Sequence, residues 1–319
     1  KSGISINDED YTTNIFIANT HTPILFFSSK GKVYKMMTYK LPSGNSTSKG
    51  RAIVNLLPLE ADEKISTILA LQGEKEEWLK KNIVFATKRG TIKRNLMDDF
   101  ENIQSNGKIA IKLDENDELI GVSLCDDDHD ILLSSKLGKC IRFPLSTIRV
   151  FKGRNSSGVR GIKLDALNEV ISMSVLKASE AENTQDKDNY LKIDLDTRMK
   201  LNELYRTTEK EDTGSLLEGV KKPLPIKISD EILAVLPQEK IEAMARSEEF
   251  ILTITENGFG KRSSAYEYRV TNRGGSGITN IITSKRNGNV IASFPVENNE
   301  EIIMISDKGT VIRTRVKDI

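Results

Sequence analysis

Apolar and polar positions follow one grammar that recurs along the chain. A largely apolar run breaks at a polar turn ending in glycine, then resumes as a mixed strand carrying basic residues. The stretch 24–35, ILFFSSKGKVYK, sets the pattern. It returns at 83–94 (IVFATKRGTIKR), 131–142 (ILLSSKLGKCIR), 251–262 (ILTITENGFGKR) and 302–313 (IIMISDKGTVIR). Aligned on Gly31, Gly90, Gly138, Gly258 and Gly309, the copies share an isoleucine seven residues earlier: Ile24, Ile83, Ile131, Ile251 and Ile302. A basic residue stands four after each glycine, at Lys35, Arg94, Arg142, Arg262 and Arg313. Five agreeing copies make an internal repeat. Each copy predicts a β-hairpin, because Ile, Val, Leu and Phe suit a pleated surface and glycine takes the positive φ of a tight reversal.

A second glycine follows at Gly50, Gly107, Gly158 and Gly277, each opening a predicted short strand: RAIVNLLPL, KIAIKL, VRGIKL and ITNII. Acidic turns and a connecting strand come next, ISTILAL, LIGVSL, VISMSVL and VIASFPV. A unit of about four strands is one blade of a propeller-like array. One blade leaves both sheet faces uncovered, and packing blades round a ring buries them. The fold expected is therefore all-β. Ser2-Gly3-Ile4 resembles Ser276-Gly277-Ile278, so residues 1–22 read as the back half of a blade with 12–19 as its connecting strand. The chain stops at Ile319 soon after the fifth hairpin. A single domain over 1–319 with incomplete first and last blades, completed as a five- or six-bladed ring, is the expectation.

Residues 178–249 interrupt the repeat and read as a partly helical insertion between blades. Leu195, Met199, Leu201 and Leu204 fall at helical spacing within 194–210, and Ser229-Asp230-Glu231 opens a second helix that Pro237 limits. The run KKPLP at 221–225 reads as an extended linker.

Charge changes the picture only through its placement. Net charge is +1, but about 17 of the 46 acidic and 11 of the 47 basic residues lie in 178–249, so the repeats are basic by about seven. Two cysteines, Cys125 and Cys140, make no disulfide framework and point to a reducing, cytoplasmic setting. Cys140 falls at an apolar strand position and is expected in the core. No stretch is long and apolar enough to span a membrane.

Enzyme chemistry has little to stand on. The two histidines, His21 and His129, form no cluster, and no phosphate-binding loop ends in Gly-Lys-Ser/Thr. The run Asp126-Asp127-Asp128-His129-Asp130 has carboxylates of the kind a hard cation takes, but reads as a solvated turn. No catalytic residue, metal or cofactor is assigned. The recurring bases remain. Beside the aligned five stand Lys32, Lys93, Lys139, Lys261 and Arg315 in the same strands. Turns and loops add Lys88, Arg89, Lys136, Lys308, Lys49, Arg51, Lys108, Lys152, Arg154, Arg160, Arg269 and Arg273. Ring symmetry sets equivalent positions along one circular track. Cations on that track suit duplex phosphates, binding through counterion release without reading sequence and holding the duplex bent. Strand alternation offers another reading of the aligned five: each base faces the side of the apolar residue two before it, where it would cap its sheet or pair with an acid such as Asp98 or Asp99. Few aromatics interleave with the bases, which argues against single-strand stacking.

The segments IFIANTHTPILFFSSKGKVYKM (15–36), KGRAIVNLLPLEADEKI (49–65), GKIAIKL (107–113), SGVRGIKL (157–164), ILTITENGFGKR (251–262) and RVTNRGGSGI (269–278) resemble the C-terminal DNA-wrapping domain of bacterial DNA gyrase A. That resemblance covers nearly the whole chain outside 178–249. It implies a six-bladed β-pinwheel, a closed ring whose blades exchange strands and whose basic outer rim wraps duplex DNA to support negative supercoiling. It also implies the remainder of gyrase A, together with gyrase B, as partners in an A2B2 heterotetramer, with the isolated domain monomeric. The family's Gln-Arg-Arg-Gly-Gly-Lys-Gly box would precede Lys1. Asn272-Arg273-Gly274-Gly275-Ser276-Gly277 keeps its Arg-Gly-Gly-x-Gly core in a late blade. The corresponding domain of topoisomerase IV is the nearest alternative, and a protein-interaction propeller is the alternative from another class.

Overall fold

The computed structural model describes residues 16–45, 48–178, 184–211, 226, 228–306 and 310–319. Each hairpin forms where the glycine alignment sets it. The first is β1 (Pro23–Ser28) with β2 (Lys32–Met37), and β3 (Ile65–Ala70) returns to pair with β1. A short helix, α1 (Lys75–Leu79), leads to β4 (Asn82–Thr87) and β5 (Thr91–Leu96). Then come β6 (Lys108–Ile109), β7 (Leu119–Cys125), and the third hairpin of β8 (His129–Ser135) and β9 (Lys139–Pro144). After β10 (Val159–Arg160) and β11 (Val170–Lys177), four helices intervene among the described residues: α2 (Thr184–Tyr190), α3 (Leu195–Glu211), α4 (Asp230–Val235) and α5 (Gln238–Ser247). The fourth hairpin is β12 (Phe250–Thr255) and β13 (Gly260–Ser264), followed by β14 (Ile278–Thr279) and β15 (Val290–Val296). The last is β16 (Glu301–Ile305) with β17 (Val311–Arg315).

The sheets run β3-β1-β2-β6, β10-β5-β4-β7 and β11-β8-β9-β14, then β13-β12-β15 and β16-β17. The fourth strand of each complete sheet comes from the next unit along the chain. The short strands after Gly107, Gly158 and Gly277 therefore do not open their own blades: β6 pairs with β2, β10 with β5 and β14 with β9. Only two residues of each pair in register. RAIVNLLPL makes no strand but a 3-10 turn at Ile53–Asn55, since among the described residues no hairpin precedes β1 to receive it. This exchange of strands is the pinwheel arrangement. Five sheets lie within the described residues, and Ser2-Gly3-Ile4, residues 12–15, the KKPLP run and Gly309 lie outside them.

The three middle hairpins are apolar on both faces because a neighbouring blade covers each, whereas the second face of β1, Ile24 and Phe26, packs on its own unit's Ile53 and Leu57, and Ile303, Val311 and Ile312 of the last hairpin are exposed. Leu25 and Phe27 of β1 pack on Ile83 and Phe85 of β4. The other face of β4, Val84 and Ala86, packs on Ile131 and Leu133 of β8. Leu132 of β8 meets Ile251 of β12, and Phe250 and Leu252 meet Ile302 and Val316. That double burial explains continuous apolar runs where one-sided sheets would alternate. β7 also packs on β3, β11 on β7 and β15 on β11, which makes these the innermost strands. β6, β10 and β14, at the opposite edges of their sheets, are outermost.

The turn glycines lock the exchange. The Gly31 carbonyl accepts from the Ala110 and Ile111 amides at 2.8 and 3.1 Å, Gly90 from Gly161 and Ile162 at 2.8 and 3.2 Å, and Gly138 from Asn280 and Ile281 at 2.8 and 3.2 Å. At Gly138, φ is +80° and an added Cβ would stand 2.0 Å from the Ile281 carbonyl oxygen. Gly258 has φ +76° but nothing within 4 Å of such a Cβ. Gly138→Ala is therefore expected to cost more than about 2 kcal/mol and Gly258→Ala about 1, the second meeting only the backbone penalty. Urea titrations of the two variants check the order; equal losses would remove the contact with Ile281 as the cause.

In the insertion, α3 follows the spacing of Leu195 to Leu204, and α4 starts after Ser229. α4 ends at Val235, two residues before Pro237, as expected, and Pro237 then takes the N-cap position of α5, where proline forfeits no hydrogen bond.

Candidate nucleic-acid interface

The five aligned bases do not form one exposed track. Arg94 and Arg142 are buried. Arg94 Nε donates to Asn82 Oδ1 at 2.8 Å, and its amino groups reach Asp127 and the carbonyls of Leu145 (3.3 Å) and Ile148 (3.4 Å). Arg142 donates to Asp130 Oδ2 at 2.8 Å, the Ala265 carbonyl at 2.7 Å and the Lys177 carbonyl at 2.9 Å. Lys35 Nζ donates to the Glu101 carbonyl at 2.8 Å. Burial and then the Lys75 charge pull the pKa of Lys35 below the ordinary lysine range. Arg262 donates to the Val316 carbonyl at 2.9 Å, to Asn298 at 3.0 Å and to Met199 Sδ at 2.9 Å. Arg313 is exposed and paired with Glu301. The acids met by Arg94 and Arg142 are Asp127 and Asp130, not Asp98 or Asp99. That run is thus partly bound into the protein: Asp126 pairs with Lys81 as well.

Lys93 is buried too. Its Nζ donates to the carbonyls of Ala110 (2.8 Å) and Arg154 (2.6 Å), and burial lowers its pKa to about 8. A side chain so held offers no charge to a phosphate.

The hairpin-turn lysines are half-buried and neutralised. Lys88 pairs with Glu118 and Glu169 at 3.7 and 3.4 Å, and Lys136 with Glu169 at 3.1 Å. Burial alone would raise the Glu169 pKa, but the Lys136 hydrogen bond and the Lys88 charge hold it below the usual carboxylate range. Lys32 pairs with Glu60, Lys139 with Asp165 at 3.7 Å, and Arg315 with Asp318 at 2.7 Å. Arg89 Nε donates to the Asn116 carbonyl at 3.2 Å. Lys308 lies outside the described residues.

A different set is unengaged. Among the described residues, the side chains of Arg51, Lys108, Lys152, Arg160, Lys261 and Arg269 have no hydrogen bond or ion pair, and Arg51, Lys152, Arg160 and Arg269 are exposed. Lys108 and Arg160 sit on the outermost strands β6 and β10. Parallel bridges Arg94–Val150 and Arg142–Val270 lay the loops carrying Lys152 and Arg269 along the same outer edges. Sequence reasoning missed Lys112 and Lys163, both exposed and unengaged, each five residues after a second glycine. It missed Arg149 also, whose guanidinium lies 4.4 Å from the Phe151 ring centre. The signal was present: counting from Gly107 and Gly158, as from the turn glycines, aligns Lys112 with Lys163.

Arg154 and Arg273 are anchors. Arg154 donates to the Asp99 carbonyl at 2.6 Å. Arg273 donates to the carbonyls of Thr147 and Arg160, each at 3.0 Å. The Gly274 amide donates to the Gly161 carbonyl at 2.6 Å, and the Gly275 carbonyl accepts from the Lys163 backbone amide at 2.8 Å. A Cβ at Gly277 would stand 2.3 Å from the Cys140 carbonyl. The Arg-Gly-Gly-x-Gly turn thus staples one unit's loop to the segment the previous unit exchanges.

The family model of the DNA gyrase C-terminal domain, a beta-propeller, matches residues 22–72, 81–126, 129–177, 249–297 and 300–319, one match per hairpin unit. The DNA gyrase A protein of Rickettsia bellii is 46% identical over 319 residues, covering 100% of this chain and 33% of that protein. Its counterpart in Escherichia coli K12 is 34% identical, with 100% and 28% covered. The chain thus spans about a third of the curated relatives it matches. Among solved structures, a DNA gyrase A C-terminal domain superposes with TM-score 0.62 at 20% identity over 99% of this chain and 83% of that one. A DNA topoisomerase IV C-terminal domain gives 0.65 at 16% over 94% and 71%. At these identities both show the fold alone.

Proposed function

Since the chain belongs to the DNA gyrase C-terminal domain family, we propose that it binds duplex DNA without reading base sequence and bends and wraps it round the outer rim. The observation that carries this is the unengaged cation set on the outermost strands and their flanking loops: Lys108, Lys112, Lys152, Arg160, Lys163 and Arg269. Spaced by blades, they meet successive phosphates of a curved duplex, and contacts of this kind position without specifying. The chain contributes no catalytic group and no cofactor. It acts within a type II topoisomerase, as part of gyrase A joined to gyrase B in an A2B2 heterotetramer that supercoils DNA negatively, in the cytoplasm. Sequence relatives that carry the gyrase A name favour this over the topoisomerase IV alternative. By itself the domain is a monomer. None of the helices among the described residues is long and apolar enough to cross a membrane.

A gel shift on a linear duplex of arbitrary sequence, titrated with salt, tests the reading. With six or more phosphate contacts, affinity is expected to fall about a thousandfold or more between 50 and 200 mM salt. Affinity independent of salt would instead favour a protein-binding propeller.

A further inference from the structure

Four of the five aligned bases share a kind of partner that their own hairpins do not contain; the fifth, Arg313, pairs with Glu301 of its own hairpin. Arg94 reaches the carbonyl of Leu145, Arg142 that of Ala265 and Arg262 that of Val316. Leu145, Ala265 and Val316 are the first residues of the 3-10 turns that follow the next hairpin. Lys35 reaches the carbonyl of Glu101, which closes the corresponding turn after β5. The three first residues are buried apolar groups between blades. The backbone of the same base holds the next blade as well: the Arg94 carbonyl accepts from Phe151 at 2.8 Å and the Arg142 carbonyl from Thr271 at 2.9 Å. Those amides belong to the loops that carry Lys152 and Arg269.

We propose that the base four residues after the turn glycine in the first four hairpins, Lys35, Arg94, Arg142 and Arg262, is an inter-blade clasp, a positioning residue that fixes the angle between successive blades and thereby the curvature of the cationic rim. The inference rests on the DNA-bending reading above for its effect on DNA, and on the geometry alone for its effect on the ring. A planar guanidinium suits the task, because its fixed fork of donors satisfies its own hairpin and the neighbouring turn at once. Arg142 does so fully: Nε holds Asp130 of its own hairpin while one amino group holds Ala265 of the next. The carbonyls of Leu145, Ala265 and Val316 each accept one amide of their own turn, from Ile148, Tyr268 and Ile319; the arginine adds a second bond that crosses between blades, so its loss frees the joint without unravelling the turn.

The joint between the third and fourth blades tests this. Spin labels go at Leu167→Cys and Lys285→Cys, exposed positions on either side of Arg142, while Cys125 and Cys140 are buried from the reagent. In Arg142→Gln the distance distribution is expected to broaden at least twofold, and in Arg142→Lys less. An unchanged distribution overturns the clasp, whatever DNA does. Arg262→Gln, at a half-buried joint, is a second variant should Arg142→Gln melt too low, and the same broadening is expected between labels across that joint. With DNA, the variants are expected to bind a 12-base-pair duplex within twofold of the parent but a 100-base-pair duplex at least tenfold more weakly, with lower end-to-end energy transfer. Equal loss on both lengths would mark a direct phosphate contact and overturn the positioning role. If the parent itself binds neither duplex in a salt-dependent way while the label distances still broaden, the DNA reading fails and the clasp stands.

Discussion

Replacing Lys112, Lys152, Arg160 and Arg269 together with glutamate is expected to weaken binding to a long duplex by more than about a hundredfold at physiological salt. All four side chains are exposed and unengaged, so the exchange removes no internal hydrogen bond and the fold should melt within a few degrees of the parent. Each phosphate contact contributes about −0.9 to the slope of log affinity against log salt, so the slope should flatten by three to four. The loss should be the same for duplexes of any base sequence, because contacts to phosphate carry none. A matched variant, Lys88→Gln with Lys136→Gln, separates the rim from the hairpin turns. Those cations already face Glu118 and Glu169 at 3.1 to 3.7 Å, and removing them frees carboxylates without removing an available positive charge. Binding should change less than about threefold. The reverse ranking, with the turn pair dominant, would move the DNA path to the turns and take the rim reading with it.

The hairpins were legible because their signal is local. Apolar runs, a turn glycine and a β-rich return strand lie within a dozen residues, and five copies reinforce one another. The exchanged strands were not, although the family resemblance implied an exchange. A strand of two residues such as β6 has no periodicity, and its partner β2 lies more than 70 residues upstream. The same distance hid the division among the cations. Nothing near Lys136 in sequence says that Glu169 neutralises it, and nothing near Arg142 says that Ala265, 123 residues on, supplies its acceptor. Strand alternation did place the aligned bases on the side of apolar residues. It could not name the carbonyls of Leu145, Ala265 and Val316 as partners, since these belong to the next blade. Burial therefore sorted the candidates: Lys93, Arg94 and Arg142 went inside, while the loops and outer strands kept Arg51, Lys152, Arg160 and Arg269 in solvent.

Arg198→Ala is expected to give the largest stability loss of any single change in the helical insertion, about 3–5 kcal/mol at pH 7. Arg198 and Glu248 are both buried and hydrogen-bonded to each other. Tyr190 OH donates to the second Glu248 oxygen at 2.8 Å, and Arg198 Nε donates to the Ile193 carbonyl at 3.0 Å. These contacts tie α2 and α3 to the residue that leads into β12. Burial already raises the Glu248 pKa above the ordinary carboxylate range despite the arginine. Without Arg198 the pKa rises further, because desolvation then acts with less opposition. The folded state consequently holds the Glu248 proton to higher pH than the unfolded chain does. Where only the folded state is protonated, stability falls as pH rises. The deficit of Arg198→Ala should therefore shrink as pH drops from 7 towards the unfolded carboxylate range near 4.3, and Arg198→Ala with Glu248→Gln should recover much of the loss at every pH. The helices make circular dichroism at 222 nm a selective probe, since the blades are β-sheet. A deficit that stays constant with pH, or a double variant no better than the single one, would mean that the arginine acts through packing on Tyr190, whose ring centre lies 5.8 Å from its guanidinium, and not by compensating a buried charge.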